Sequence, residues 1–147
     1  MAPANRAAPS SDTVHLLIDE YRGRFPDQKL QVGFFHGGLP NDALLASCPG
    51  LPTRVSLNPA DLDQREAKRL LEAGCTTIEI EMMTADPHVL RTCARPYTSH
   101  QVLRMGKGLK EMGFQVGLHL VPGLPSADVD GAIRDAAFSL SLSLIHI

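Results

Sequence analysis

Cysteine is scarce and unpaired in this sequence. Cys48, Cys75 and Cys93 are the three present, an odd number at wide spacing, and no CxxC or CxxxCxxC arrangement occurs. That pattern suggests neither a disulfide framework nor a self-contained metal site, and it makes a reducing cytoplasm the expected compartment. An excess of one charge is lacking too. The net charge is -2 with acids and bases interspersed, so an electrostatic surface for nucleic acid or membrane is not expected. A near-neutral surface still leaves room for an RNA substrate held by another domain. Long hydrophobic runs are missing, so no bilayer span is expected. The stretch 1–11 is rich in Ala and Pro and lacks the apolar centre of a secretory signal. What remains is a chain of 147 residues, 44% apolar, which suits one soluble domain with a real core.

Periodicity and punctuation order the elements. Ser10 or Ser11 caps a helix whose Val14, Leu17, Ile18 and Tyr21 follow i, i+3, i+4, i+7 spacing, and Pro26 ends it. Residues 29–35 read as a strand closing at Gly37-Gly38, followed by a short helix over 42–48. Arg54 to Leu57 is the next strand. Asp61 with Gln64 resembles a capping box and opens a helix carrying Leu62, Leu70 and Leu71, stopped by Gly74. Thr76 to Met83 is a third strand, and Asp86-Pro87 starts a brief helix through Leu90. Thr98 and Gln101 form a second box-like pair before a helix with Val102, Met105, Leu109 and Met112 on one face and Gly113 at its end. Val116 to Val121 is a fourth strand, breaking into the rigid turn Pro122-Gly123-Leu124-Pro125, and residues 128–137 form a last helix.

Alternation of strand and helix with short links predicts an α/β fold with parallel strands and right-handed crossovers. About four βα units fit part of a TIM-type (β/α) barrel or a doubly wound sheet, and periodicity does not separate the two. Residues 1–10 read as a flexible leader. Residues 138–147, Phe-Ser-Leu-Ser-Leu-Ser-Leu-Ile-His-Ile, change character abruptly. They look non-native, like translated read-through of a sequencing adapter at a fragment end. The alternative is an amphipathic edge strand.

Several residues fall where parallel folds place ligands. Gly37 and Gly38 let the backbone approach a ligand or simply turn the chain. Arg54, Ser56 and Asn58 share one strand face, as do Glu79 and Glu81 on the next strand. Two carboxylates on one face of a buried parallel strand need partners: ribose hydroxyls, an amine, or an arginine such as Arg54. Thr84 follows that strand's end, and Gly123 sits in the turn after the fourth. His36 and His119 lie near strand ends and read as hydrogen-bonded neutral side chains, because metal-spaced companions are absent.

In this order the segments resemble the radical S-adenosylmethionine superfamily, over about residues 29–135. The branch is that of the elongator catalytic subunit and, more loosely, the coproporphyrinogen-dehydrogenase-like enzymes. Val32 to Gly38 is similar to the family's strand ending in a double glycine, where the backbone receives the amino group of the cofactor's methionine. Arg54-Val-Ser-Leu-Asn-Pro59 is similar to the strand often written Arg-Ile-Ser-Thr-Arg-Pro. Residues 74–79 followed by 86–90 look like the fourth barrel strand and its helix. Arg95-Pro-Tyr-Thr98 stands where Arg-Gly-His-Thr is common, and residues 117–125 match the fifth strand and its Gly-Leu-Pro turn beside the adenine.

The resemblance implies a partial barrel over residues 11–137. It also implies S-adenosylmethionine, and a [4Fe–4S] cluster held by three cysteines, usually CxxxCxxC, after the first strand. Reduction then splits the cofactor to a 5′-deoxyadenosyl radical that abstracts hydrogen, with an electron donor such as flavodoxin or ferredoxin. By this likeness the cofactor shell comprises Gly37, Gly38, Arg54, Ser56, Asn58, Glu79, Thr84 and Gly123. The substrate, RNA or a small molecule, is not implied. The chain departs from the family in several places, among them an absent first strand and a sixth strand replaced by the residues from 138 on. The CxxxCxxC is missing, so these residues read as an internal piece, strands two to five of about six, that binds no cluster alone. Glu81-Met82-Met83-Thr84 replaces the usual Gly-Val-Gln-Ser, and Ser126 replaces a common glycine. Two other readings stay open: a non-catalytic binding module of the same family, and an unrelated (β/α) enzyme using Glu79 or Glu81 as general base.

Overall fold

The computed structural model describes residues 9–35, 38–141 and 145–146. The element order is α1 (Ser11–Arg24), β1 (Val32–Phe34), α2 (Asp42–Ala46), β2 (Thr53–Leu57), a 3-10 turn (Pro59–Asp61), α3 (Gln64–Glu72), β3 (Cys75–Met83), α4 (Pro87–Thr92), α5 (Ser99–Glu111), β4 (Gln115–Leu120), α6 (Val129–Ser141) and β5 (Ile145–His146). The strands form one parallel sheet in sequential order β1-β2-β3-β4-β5. This is the expected α/β architecture, with one helix or more between successive strands.

Local chemistry accounts for most element ends. Ser10 caps α1, its hydroxyl accepting from the Thr13 N–H. Asp86 accepts from the His88 and Val89 N–H groups ahead of Pro87, and those two bonds hold its carboxyl below the usual range. Thr98 and Gln101 complete a reciprocal capping box. Gly74 and Gly113 end α3 and α5 with φ of 85° and 105°, angles that favour glycine.

Three expectations are corrected. Asp61 is not a helix cap: Asn58 Oδ1 accepts from the Ala60 N–H and winds Pro59–Asp61 into the 3-10 turn. The cap of α3 is Asp63, whose carboxylate accepts from the Glu66 N–H. On α1 only Val14 and Ile18 are buried, while Leu17 and Tyr21 face outward, because the helix meets just the small cluster of Leu44 and Cys48. On α3, Leu71 is likewise exposed and Leu70 enters the core. In addition, α6 runs past Ala137 to Ser141.

The core lies on the helix-covered side of the sheet. Val55, Leu57, Ile78, Ile80, Met82, Val116 and Leu118 point outward from the strands and pack with Leu70, Val102 and Leu109 of α3 and α5. Strand alternation then sends Arg54, Ser56, Glu79 and His119 to the opposite, interior face. Replacing Thr98 with Ala removes half of the capping box, so Thr98→Ala is expected to cost about 1 kcal/mol in urea unfolding. An unchanged midpoint would contradict the assignment of that cap.

Candidate functional site

The interior face carries a polar layer at the middle of the sheet. Strand register sets Ser56 beside Glu79 and Glu79 beside Gly117, with Arg54 beside Thr77 and Glu81 beside His119. Glu79 is wholly buried, whereas the Arg54 and His119 side chains keep 33% and 30% of their exposure. Arg54 Nη1 lies 2.9 Å from Glu79 Oε1, and His119 Nε2 lies 2.9 Å from Glu79 Oε2. Only the histidine contact has hydrogen-bond geometry. With a carboxylate as acceptor the donated proton sits on Nε2. Among the described residues Arg54 Nε, Ser56 Oγ and Glu79 Oε1 are buried and make no hydrogen bond. A buried carboxylate needs charge and hydrogen bonds around it, and here Oε1 has the charge of Arg54 without a hydrogen bond.

The expected residues divide clearly. Arg54, Ser56 and Glu79 come together in the polar layer. Asn58, expected on that strand face, instead lies just past the end of β2 and caps the 3-10 turn, its Oδ1 accepting from the Ala60 N–H. Thr84 is buried past the end of β3, and its hydroxyl accepts from the Asp86 N–H. Gly38 and Gly123 lie in loops with φ of 89° and 81°. Gly37 and His36 lie outside the described residues. Glu81 is partly buried at the end of β3, so the two strand carboxylates differ in depth. His119 belongs to the site although the sequence placed it only near a strand end. Its forty-residue separation from Glu79 hides the pairing, which strand register alone supplies.

The carboxyl end of β3 is shaped by a register shift between Glu81 and Met83, with Met83 at φ 65°. Val121 N–H donates to Met83 O, and Ala85 N–H donates to the carboxylate of the largely buried Asp135 on α6. Ser126 occupies φ 67°, a left-handed conformation where glycine is strain-free.

A parallel α/β sheet with helices on one face and a charged interior layer defines a domain cut from a (β/α) barrel. The model of the radical SAM superfamily matches residues 15–136, and the chain belongs to that superfamily. A tRNA uridine(34) acetyltransferase of Methanocaldococcus jannaschii is 28% identical over 76 residues, 52% of this chain and 14% of that protein. Its counterpart from Methanocaldococcus infernus is 24% identical over 76 residues, again 52% and 14%. The chain therefore spans a small part of the curated relatives it matches. Among solved structures, Methanocaldococcus infernus Elp3 with an N-terminal deletion superposes with TM-score 0.69 at 14% identity, covering 85% of this chain and 37% of that one. Escherichia coli coproporphyrinogen III oxidase (HemN), described as a radical SAM enzyme, gives 0.66 at 12% identity, covering 93% and 37%. These likenesses establish the fold as a partial TIM-type barrel. Family membership sets aside the unrelated (β/α) enzyme.

The two groups that the family implies fit this chain differently. Toward S-adenosylmethionine the interior face offers Arg54 Nε, Ser56 Oγ and Glu79 Oε1, buried atoms that make no hydrogen bond and are of the donor and acceptor types an amino acid or a ribose needs. An iron–sulfur cluster does not fit the described residues. Cys48 and Cys75 are buried in separate parts of the core, and Cys93 caps α4. Burial pushes both the Cys48 and the Cys75 thiols up, and carbonyl contacts from Cys75 to Thr53 and Thr77 offset this only in part. No group of three His, Cys, Asp or Glu that could hold a metal ion occurs among the described residues.

Removing one partner from a buried charge is costlier than removing the charge itself. Arg54→Met is therefore expected to destabilise by about 3 kcal/mol, since Glu79 stays behind fully buried. Glu79→Gln should cost less, about 1 kcal/mol, because Arg54 can turn to water. Paired urea titrations measure both, and a larger cost for Glu79→Gln would contradict the geometry.

Proposed function

We propose that these residues form the S-adenosylmethionine wall of a radical enzyme, strands two to five of its barrel over residues 11–137. Of the flanking segments, 1–10 lies outside that domain, while α6 runs on to Ser141 and Ile145–His146 pairs with β4. The observation that carries the reading is the buried Glu79 between Arg54 and His119, with three buried polar atoms in the same layer that make no hydrogen bond.

When bound, the cofactor supplies radical hydrogen abstraction after reductive cleavage at a [4Fe–4S] cluster. The chain's own residues bind and orient it. Gly37 and Gly38 offer backbone groups to its amine. Arg54, Ser56 and Glu79 supply charge and hydrogen bonds at mid-sheet. Asn58, Thr84 and Gly123 border the carboxyl ends of the strands, with Gly123 on the adenine side. The outward-packed apolar layer keeps water from the back of the sheet. Cluster ligands and the electron donor, a flavodoxin or ferredoxin, come from outside these residues. The whole protein acts in the cytoplasm on RNA or a small molecule; the acetyltransferase relatives named for tRNA favour RNA. No helix among the described residues is long and apolar enough to cross a membrane.

The separation of the three cysteines favours a second reading, a family member that binds the cofactor without a cluster. An in-frame CxxxCxxC in the DNA upstream of the Met1 codon supports the radical enzyme; a promoter and start there supports the module.

Anaerobic calorimetry of the chain with S-adenosylmethionine, before and after iron–sulfur reconstitution, tests the common core of both. Saturable binding without iron is expected, weakened about tenfold by Glu79→Gln through loss of a charge-assisted contact. Reconstitution should leave no stoichiometric visible absorption. A full cluster on Cys48, Cys75 and Cys93, or cofactor binding indifferent to Glu79, would sink the proposal.

A further inference from the structure

We propose that His119 is a positioning residue. Its imidazole fixes one oxygen of Glu79, so that the other oxygen, Arg54 Nε and Ser56 Oγ remain directed at one interior ligand. The identity of that ligand rests on the cofactor reading above; the positioning itself does not.

The two partners of Glu79 are not equivalent. His119 Nε2 makes an aligned hydrogen bond of 2.9 Å to Oε2. Arg54 Nη1 is equally close to Oε1 but out of hydrogen-bond alignment, and Oε1 is a buried atom without a hydrogen bond. Orientation of the carboxylate therefore comes from the histidine, and the guanidinium contributes charge. A carboxylate free to rotate would meet Arg54 with two parallel bonds, the geometry that guanidinium favours. Pinned from the β4 side, it does not.

Backbone placement makes the pin. Gly117 is the register partner of Glu79 and brings no side chain between the strands. His119, two residues on, shares the Gly117 face and reaches back to Glu79 beside that gap. Its own register partner is Glu81, yet its hydrogen bond goes to the deeper carboxylate, Glu79.

The consequence is a set of unspent groups in one layer. Arg54 Nε can only donate, Glu79 Oε1 can only accept, and Ser56 Oγ can do either. Buried polar atoms seldom stay without hydrogen bonds, and three of them in one layer call for a common partner. The complementary ligand carries a donor and an acceptor on adjacent atoms, as an amino-acid head group or a vicinal diol does.

The test compares His119→Gln, whose amide keeps an N–H donor near the Nε2 position, with His119→Leu, which has none. In the wild-type chain, nitrogen NMR should find the imidazole proton on Nε2. In urea unfolding, His119→Leu and Glu79→Gln should be non-additive by about tenfold in the unfolding equilibrium constant. S-adenosylmethionine should bind His119→Leu about tenfold more weakly than wild type and His119→Gln within about threefold. A proton on Nδ1 alone, additive stabilities, or wild-type affinity in His119→Leu each overturn the proposal. If the wild-type chain fails to bind S-adenosylmethionine, the cofactor reading falls, and the proton position with the stability coupling decides the role of His119. If His119→Leu does not fold, the proton position and the His119→Gln affinity decide it.

Discussion

The structure turns on one buried carboxylate. Glu79 has no solvent exposure, yet it sits in the middle of a parallel sheet whose other face is closed by Leu70, Val102 and Leu109. An isolated charge there is prohibitive. Arg54 on β2 and His119 on β4 supply the compensation from both neighbouring strands, so three strands must hold their register for one residue to be tolerable. A slip of one residue in either pairing would turn the partners outward and strand the charge. The cost of burying Glu79 is thus also a device that specifies register.

That constraint reaches the loops where parallel barrels keep their ligands. Just beyond Glu79 the pairing of β3 with β4 shifts, and Met83 takes a left-handed conformation. The Val121-to-Met83 bond, the Thr84 hydroxyl on Asp86 N–H and the Asp135 carboxylate on Ala85 N–H rebuild the hydrogen bonding that the shift disturbs. The carboxyl ends of β3 and β4 are therefore held by specific contacts. The match to the radical SAM superfamily, residues 15–136, includes this edge.

Legibility in the sequence followed the range of the interaction. Caps at Asp86 and at Thr98 with Gln101 depend on residues two or three apart, and both were visible. Asp61 misled because Asn58-Pro59 wound the chain first, a competition between two local signals. Leu17 and Leu71 looked like core by spacing, but the surfaces that would cover them are set by which helix meets which strand. Alternation along β2 and β3 exposed Arg54, Ser56 and Glu79 as one polar face. It could not tell Glu79 from Glu81 in depth, nor find His119, because both answers depend on the register of β3 with β4. The left-handed angles of Met83 and Ser126 have no residue-type signal at all.

Amide chemical-shift mapping of the isotope-labelled chain with S-adenosylmethionine tests the central claim most directly. The account predicts shifts concentrated at Arg54, Ser56, Glu79 and the stretch from Gly117 to Val121, with the outer faces of α3 and α5 unmoved. Shifts confined to those helices, or a spectrum unchanged at saturating cofactor, would contradict it.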